Sequence, residues 1–439
     1  MNEGDWKNAF RLDGEGVTLV LAQRGDALPE PIHWGAPLPA DEDLPAFAAA
    51  RRIAMSAGTL DTLPPLTLLP EEGRSFQGAP GIELCEPDGR RWLTAFRVTG
   101  TDTHARRFTV HAEDHGLKLT LDLAFQGPVL TGTTTLRNEG ARPILLARLT
   151  TPVLPLADHC DRLTTFSGHW IGEFKTVTHT LQAGQIVRES RVGRTSHEHS
   201  PAALALTPGS TANEGEMFGA HLGWSGGHLM CCEELPDGRR QLQFAPLLRA
   251  GEITLDPGES FTTPTLHAVY SRTGRTGIAR AFQSHVRTFI GNQTRPRPVT
   301  CNSWEAIYFA HDLATLSRLA DEAAALGAER FVLDDGWFGN RDDDTTSLGD
   351  WTVDPRKWPD GLDPFVAHVN DLGMEFGIWF EPEMVNRESE LFAKHPDWML
   401  ADPNYPQLPG RNQFVLDLGK KPVRDHLFDA IGTILSDHA

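Results

Sequence analysis

The chain has 439 residues, 40% of them hydrophobic, and a formal net charge of −19. That length and composition imply two or more domains with sizeable cores. The acidity argues against nucleic acid or an anionic membrane as partner, since both are bound through basic surface.

No apolar run approaches the roughly 18–20 residues of a membrane-spanning helix. The start, Met1 to Asp5, is acidic and lacks the basic and apolar regions of a secretory signal. The five cysteines are odd in number and scattered, which suggests neither a disulfide framework nor a zinc site. A reducing cytoplasm is the simplest expectation.

Residues 1–272 read as an antiparallel β domain. Short apolar runs, such as Val17 to Leu21, Leu117 to Leu121 and Thr131 to Leu136, are broken by Gly25-Asp26, Gly127-Pro128 and Asn138-Glu139-Gly140. This alternation suits a large β-sandwich. Only Leu44 to Met55 is expected to be helical there. Residues 273–298 read as a linking helix followed by a proline-bearing turn, Thr294 to Pro298. The helix has apolar residues at 278, 282, 286, 289 and 290.

From residue 299 to 439 strand and helix alternate. Strands are expected near 299–303, 330–334 and 374–380. Helices are expected at Asp312 to Leu326, Leu362 to Leu372 and Lys421 to Leu435, the first two stopped by Gly327 and Gly373. Such alternation implies parallel strands with right-handed crossovers, as in a (β/α)8 barrel, whose sites lie on the loops after the strands. A full barrel takes about 250 residues, and only roughly 140 follow Pro298. Three βα units are therefore expected, with the chain a fragment of a longer protein.

The chemistry is concentrated at those three strand ends. Asp334 and Asp335 precede Gly336-Trp337-Phe338. Adjacent side chains on a strand point to opposite faces, which makes the two aspartates poor as a glycosidase pair about 5–5.5 Å apart. They suit the orientation of different sugar hydroxyls. The alternative is a capping Asp beside a turn Asp. Trp304, Trp337 and Trp379 offer flat faces for sugar C–H groups, or simply fill core. Glu381 and Glu383, at i and i+2, are the competing catalytic pair, unless Pro382 turns them apart. Arg341-Asp342-Asp343-Asp344 lacks the ligand spacing of a calcium loop and reads as solvated. His197 and His199 lack a third metal ligand. Arg411 follows a Pro- and Gly-rich loop and reads equally as a partner for a pocket carboxylate or as surface charge.

Together, Trp304-Glu305-Ala306, Asp334 to Gly339, Leu348-Gly349-Asp350-Trp351, Lys357 to Leu362, Gly377 to Met384 and Gly410 to Gln413 resemble the bacterial α-galactosidases of glycoside hydrolase family 36. His33-Trp34-Gly35, Gly168-His169-Trp170 and Arg194 to His199 match that family's β-supersandwich more loosely. The resemblance implies retaining hydrolysis of terminal α-linked galactose from sugars such as raffinose or melibiose, with no cofactor and no metal. It implies that Asp334 and Asp335 bind galactose hydroxyls, that Trp379 and Trp304 line the pocket, and that Arg411 reaches into it. Trp170 would face the site from a sandwich loop of a neighbouring subunit in a dimer or tetramer. Glu381 and Glu383 would not react. The family's nucleophile lies in a Lys-Trp-Asp motif that this sequence lacks, so both reacting Asp residues are expected beyond Ala439 and the chain alone is expected to be inactive. A non-catalytic galactoside-binding protein and a galactosyl transferase remain the alternatives.

Overall fold

The computed structural model describes residues 6–53, 60–290 and 295–438. The acidic start, the end of the helix expected to reach Met55, and Thr294 lie outside these. Internal contacts divide the chain into two compact units, Met1–Gly291 and Asn292–Ala439.

The first unit is antiparallel β throughout its sheets. A ten-stranded sheet runs from Lys175–Thr180 through Thr265–Ser271 and Val129–Asn138 to Arg97–His104. Two four-stranded sheets and a three-stranded sheet accompany it. The strand Leu117–Gln126 shows why these residues form sheet: Leu117, Leu119, Leu121, Leu123 and Phe125 are buried, and the residues between them are not. A period of two places every one of these on the core face. Strands Arg107–Asp114 and Leu117–Gln126 are joined by His115-Gly116, both with positive φ, the two-residue turn whose twist matches the strands.

The short helix Leu44–Ala50 is capped by the Asp43 side chain. The helix Gly274–Arg287 lies against strands Met217–Gly223 and Thr265–Ser271 and belongs to this unit. Its buried stripe differs from the expected one. Ile278 and His285 are buried, whereas Val286 and Phe289 are exposed. The stripe runs 278, 282, 285, and His285 takes the inner position because His267 lies 3.0 Å from it on the sheet.

The second unit is built on three parallel strands, Thr300–Asn302, Arg330–Leu333 and Glu375–Ile378, in that order. The Asp312 side chain caps the helix Leu313–Ala325 by accepting from the Thr315 N–H at 2.8 Å. Leu316, Ala320 and Ala323 form that helix's buried stripe. Gly327, with φ +93°, ends it. Helices Asp363–Asp371 and Lys421–Asp437 follow the second and third strands. A short antiparallel pair of Met384–Val385 with Phe414–Val415 lies in the third connection. The unit is the first three βα units of a barrel. No helix among the described residues is long and apolar enough to cross a membrane.

Candidate functional site

The middle strand ends at Leu333, and the backbone then turns through Asp334-Asp335-Gly336. Gly336 has φ +116°, and a Cβ there would lie 3.1 Å from the Phe309 backbone and 3.2 Å from His311. Only glycine fits that corner. The turn sends the two carboxylates to different partners. Asp334 stays at the sheet: its N–H donates to Ser303 Oγ at 3.0 Å, and its Oδ2 accepts from Asn302 Nδ2 at 2.5 Å. Asn302 Oδ1 in turn accepts from the Trp304 N–H at 2.8 Å. Trp304 and Asp334 are thus held by one amide.

Asp335 points back into the following loop. Arg341 donates Nε to its Oδ1 at 2.9 Å and Nη2 to its Oδ2 at 2.8 Å. The Arg341 side chain is completely buried and lies over the Phe309 ring at 5.2 Å. This corrects the solvated reading of the Arg341-Asp342-Asp343-Asp344 run at Arg341, while Asp342 and Asp343 are exposed as expected. Arg341 is interior because a buried carboxylate needs a paired charge to offset its lost hydration. Asp342 pairs with Arg356 and Lys357, and Asp343 accepts from Thr345. Lys357 Nζ also donates to the carbonyls of Phe309, Gly336 and Arg341, tying the loop shut. Its charge adds to burial in holding His311 down at about 4, so that ring is neutral.

The three tryptophans separate. Trp337 is fully buried among Phe338, Trp351 and Phe380, and its Nε1 donates to the Trp379 carbonyl at 3.0 Å. It is core, not a sugar platform, because the long loop after the strand needs an apolar anchor of its own. Trp379 and Trp304 are half-buried. The Trp379 N–H donates to the Leu333 carbonyl at 2.9 Å, which sets it beside Asp334 across the sheet.

Glu381 follows in a turn beyond the third strand, and Glu383 is exposed, so the continued-strand geometry that would pair them is absent. Burial pushes the Glu381 carboxyl up, Glu383 and Asp335 push it the same way, and Arg411 and Gln413 oppose them. Gln413 Nε2 donates to Glu381 at 3.0 Å. Arg411 is exposed at the tip of a two-residue hairpin closed by Gly410 and Gln413. Both tip residues are left-handed, Arg411 at φ +52° and Asn412 at +62°. Asn412 tolerates this; for Arg411 it is a strained position, of the kind that gathers at binding sites.

Trp170 belongs to the first unit. It sits on the loop between strands Arg162–Ser167 and Lys175–Thr180, 70% exposed, with its ring edge-on to His197 at 5.9 Å. Among the described residues no three His, Cys, Asp or Glu side chains converge as metal ligands.

Asp334, Asp335, Trp304 and Trp379 thus lie at or just past the ends of the three parallel strands, whereas Arg411 is exposed on its own turn, with its charge acting on Glu381. Sequence reasoning gave no role to Asn386 or Gln413 and read Arg341 as part of a solvated loop. The available signal was the lone cation Arg341 six residues after a buried carboxylate.

Comparison with known proteins bears on this arrangement. Residues 27–256 match the model of the glycosyl hydrolase family 36 N-terminal domain, and residues 260–439 match the melibiase model. The chain is 39% identical over 436 residues to an α-galactosidase of Escherichia coli, covering 98% of this chain and 60% of that protein. It is similar in structure to the family 36 α-galactosidase AgaA of Geobacillus stearothermophilus in complex with 1-deoxygalactonojirimycin, with TM-score 0.90 and 30% identity, covering 98% of this chain and 64% of that one. An AgaA variant in complex with raffinose gives TM-score 0.88 at the same identity and coverage. The chain thus spans less than two-thirds of the length of these relatives.

Proposed function

The chain belongs to glycoside hydrolase family 36, and from that premise we propose that it carries the hydroxyl-binding side of an α-galactosidase pocket. In this reading the whole protein cleaves terminal α-linked galactose, with retention, from oligosaccharides of the raffinose or melibiose type. The binding of raffinose by an AgaA variant supports that substrate class. The observation that carries the reading is the double-aspartate strand end. Asp334 is oriented by Asn302, and Asp335 is charge-compensated by Arg341. Each keeps acceptor positions free for hydroxyls.

Asp334 and Asp335 bind galactose hydroxyls. Trp379 and Trp304 cover the sugar's C–H face, and Arg411 reaches in from its hairpin tip. Trp170 serves the site of a neighbouring subunit in a homo-oligomer, a dimer or tetramer, in the cytoplasm. A retaining mechanism needs two further carboxyls, one as nucleophile and one as acid and then base. No Lys-Trp-Asp sequence occurs in the 439 residues, and neither reacting group is assigned here.

Two measurements on the pure 439-residue chain test this. Titration calorimetry with galactose is expected to show saturable binding that is lost in Asp334→Ala. Incubation with p-nitrophenyl α-galactoside is expected to release no p-nitrophenol. A flat titration removes the pocket assignment, and turnover removes the assignment of the chemistry to other residues.

A further inference from the structure

Asn386 is fully buried where three loops of the second unit meet. Its Oδ1 accepts from Arg341 Nη1 at 2.8 Å and from the Leu348 N–H at 3.0 Å. Its Nδ2 donates to the carbonyls of Asn412 at 2.8 Å and Asp344 at 3.2 Å. Every hydrogen-bonding position of the amide is used. Arg341 completes the other half. Nε and Nη2 hold both oxygens of Asp335, and Nη1 reaches the Thr346 carbonyl at 2.8 Å besides Asn386. One unbroken path of polar contacts therefore runs from Asp335 through Arg341 to Asn386, buried throughout, and on through a part-buried bond to Asn412 in the turn that bears Arg411.

We propose that Arg341 and Asn386 are positioning residues that lock Asp335 and the Arg411 turn into one unit, so that the two sides of the pocket are set together. Asp335 and Arg411 lie 76 residues apart in sequence, and the antiparallel pairing of Met384–Val385 with Phe414–Val415 brings Asn386 beside the Arg411 turn. In a satisfied buried network of this kind a change at one member is felt by all. Asn386 also holds the carbonyl of a turn whose tip residues are both left-handed, a backbone state that persists only where its surroundings impose it. The consequence for ligand rests on the galactoside reading above; the coupling itself does not.

Amide hydrogen exchange on the unliganded chain decides the coupling. Asp335→Asn weakens the clamp at one end. Asn386→Asp keeps Oδ1 toward Arg341 and replaces the donor to Asn412 by an acceptor. In each, exchange at residues 410–416 is expected to rise at least about fivefold, with helix Leu313–Ala325 unchanged. Asp334→Asn, whose carboxylate bonds Asn302 and the Asp335 N–H but not Arg341, keeps an oxygen for that N–H and is expected to leave 410–416 unchanged. Unaltered exchange in Asn386→Asp, or an equal rise in Asp334→Asn, overturns the proposal. Should Asp335→Asn fail to fold, Asn386→Asp decides alone.

Galactose affinity gives the second readout. Asn386→Asp is expected to weaken binding about tenfold with Arg411 present, and less than about threefold in an Arg411→Ala background. An equal loss in both backgrounds marks a structural role only and overturns the positioning. Absence of binding by the parent chain removes the pocket reading, and the exchange experiment still rules on the coupling.

Discussion

The parallel sheet of the second unit carries an arginine–carboxylate pair at each of its ends. At the strand starts, Arg330 Nε and Nη2 donate to Glu375 Oε2 at 3.1 and 2.5 Å, the two residues facing each other in register. Their side chains are 37% and 34% exposed, and Arg295 shares the same carboxylate. At the strand ends, Arg341 and Asp335 are 0% and 5% exposed; each guanidinium nitrogen donates to an acceptor, and the group lies over the Phe309 and Phe338 rings. The chemistry is the same and the dielectric is not. At the solvated end water and salt screen the attraction, so the pair is close to optional. At the buried end lost hydration has to be offset, which recruits Asn386, Thr346 and Phe309. Barrels keep stability at the strand starts and function at the strand ends, and in this sheet the buried pair at the strand ends draws in more supporting residues than the exposed pair at the strand starts.

The comparison predicts unequal mutational costs. Arg341→Met leaves Asp335 buried and unpaired, and is expected to lower unfolding stability of the second unit by about 3–5 kcal/mol. Denaturant titration followed by tryptophan fluorescence reads this, since Trp337, Trp351 and Trp358 are buried in that unit. A cost under about 1 kcal/mol, the range of exposed pairs, breaks the comparison.

A middle-sized effect sharpens it. His311 lies under the Gly336 corner at the same buried end, with its folded-state value held at about 4 against an ordinary 6.5. The unfolded chain therefore binds one more proton between those values. Stability is full above pH 6.5 and is expected to fall as pH drops toward 4, by up to about 1.4 kcal/mol per pH unit. His311→Gln should flatten that slope in a pH series of unfolding curves. An unchanged slope assigns the acid sensitivity to other groups.

The smallest effect is at the strand starts. Glu375→Gln is expected to cost less than about 1 kcal/mol, with the difference shrinking further in high salt. A salt-independent loss as large as that of Arg341→Met would show that the exposed end is not screened after all.

Local pattern made the scaffold legible. Leu117 to Leu121 read as strand because alternation is set by backbone geometry, independent of any partner, and the structure carries that strand on to Gln126. Asp312 and Gly327 marked their helix for the same reason, one by side-chain capping and the other by tolerance of positive φ. The exposed outer half of helix Gly274–Arg287 was not legible. Val286 and His285 are one position apart, and only the facing His267 selects between them.

The sequence by itself determined the strand–turn–carboxylate junctions, the double aspartate at one of them, and the order of sandwich before barrel. These follow from residue types at short spacing, where propensity, period and turn chemistry act within a few residues. Tertiary structure alone decided that Trp337 is core while Trp379 stays half-exposed, that Arg341 is an interior clamp, and that Asn386 ties Asp335 to the Arg411 turn. Those outcomes depend on which distant groups share a buried space, and a charge run such as Arg341 to Asp344 looks the same in sequence whether water or a carboxylate receives its cation.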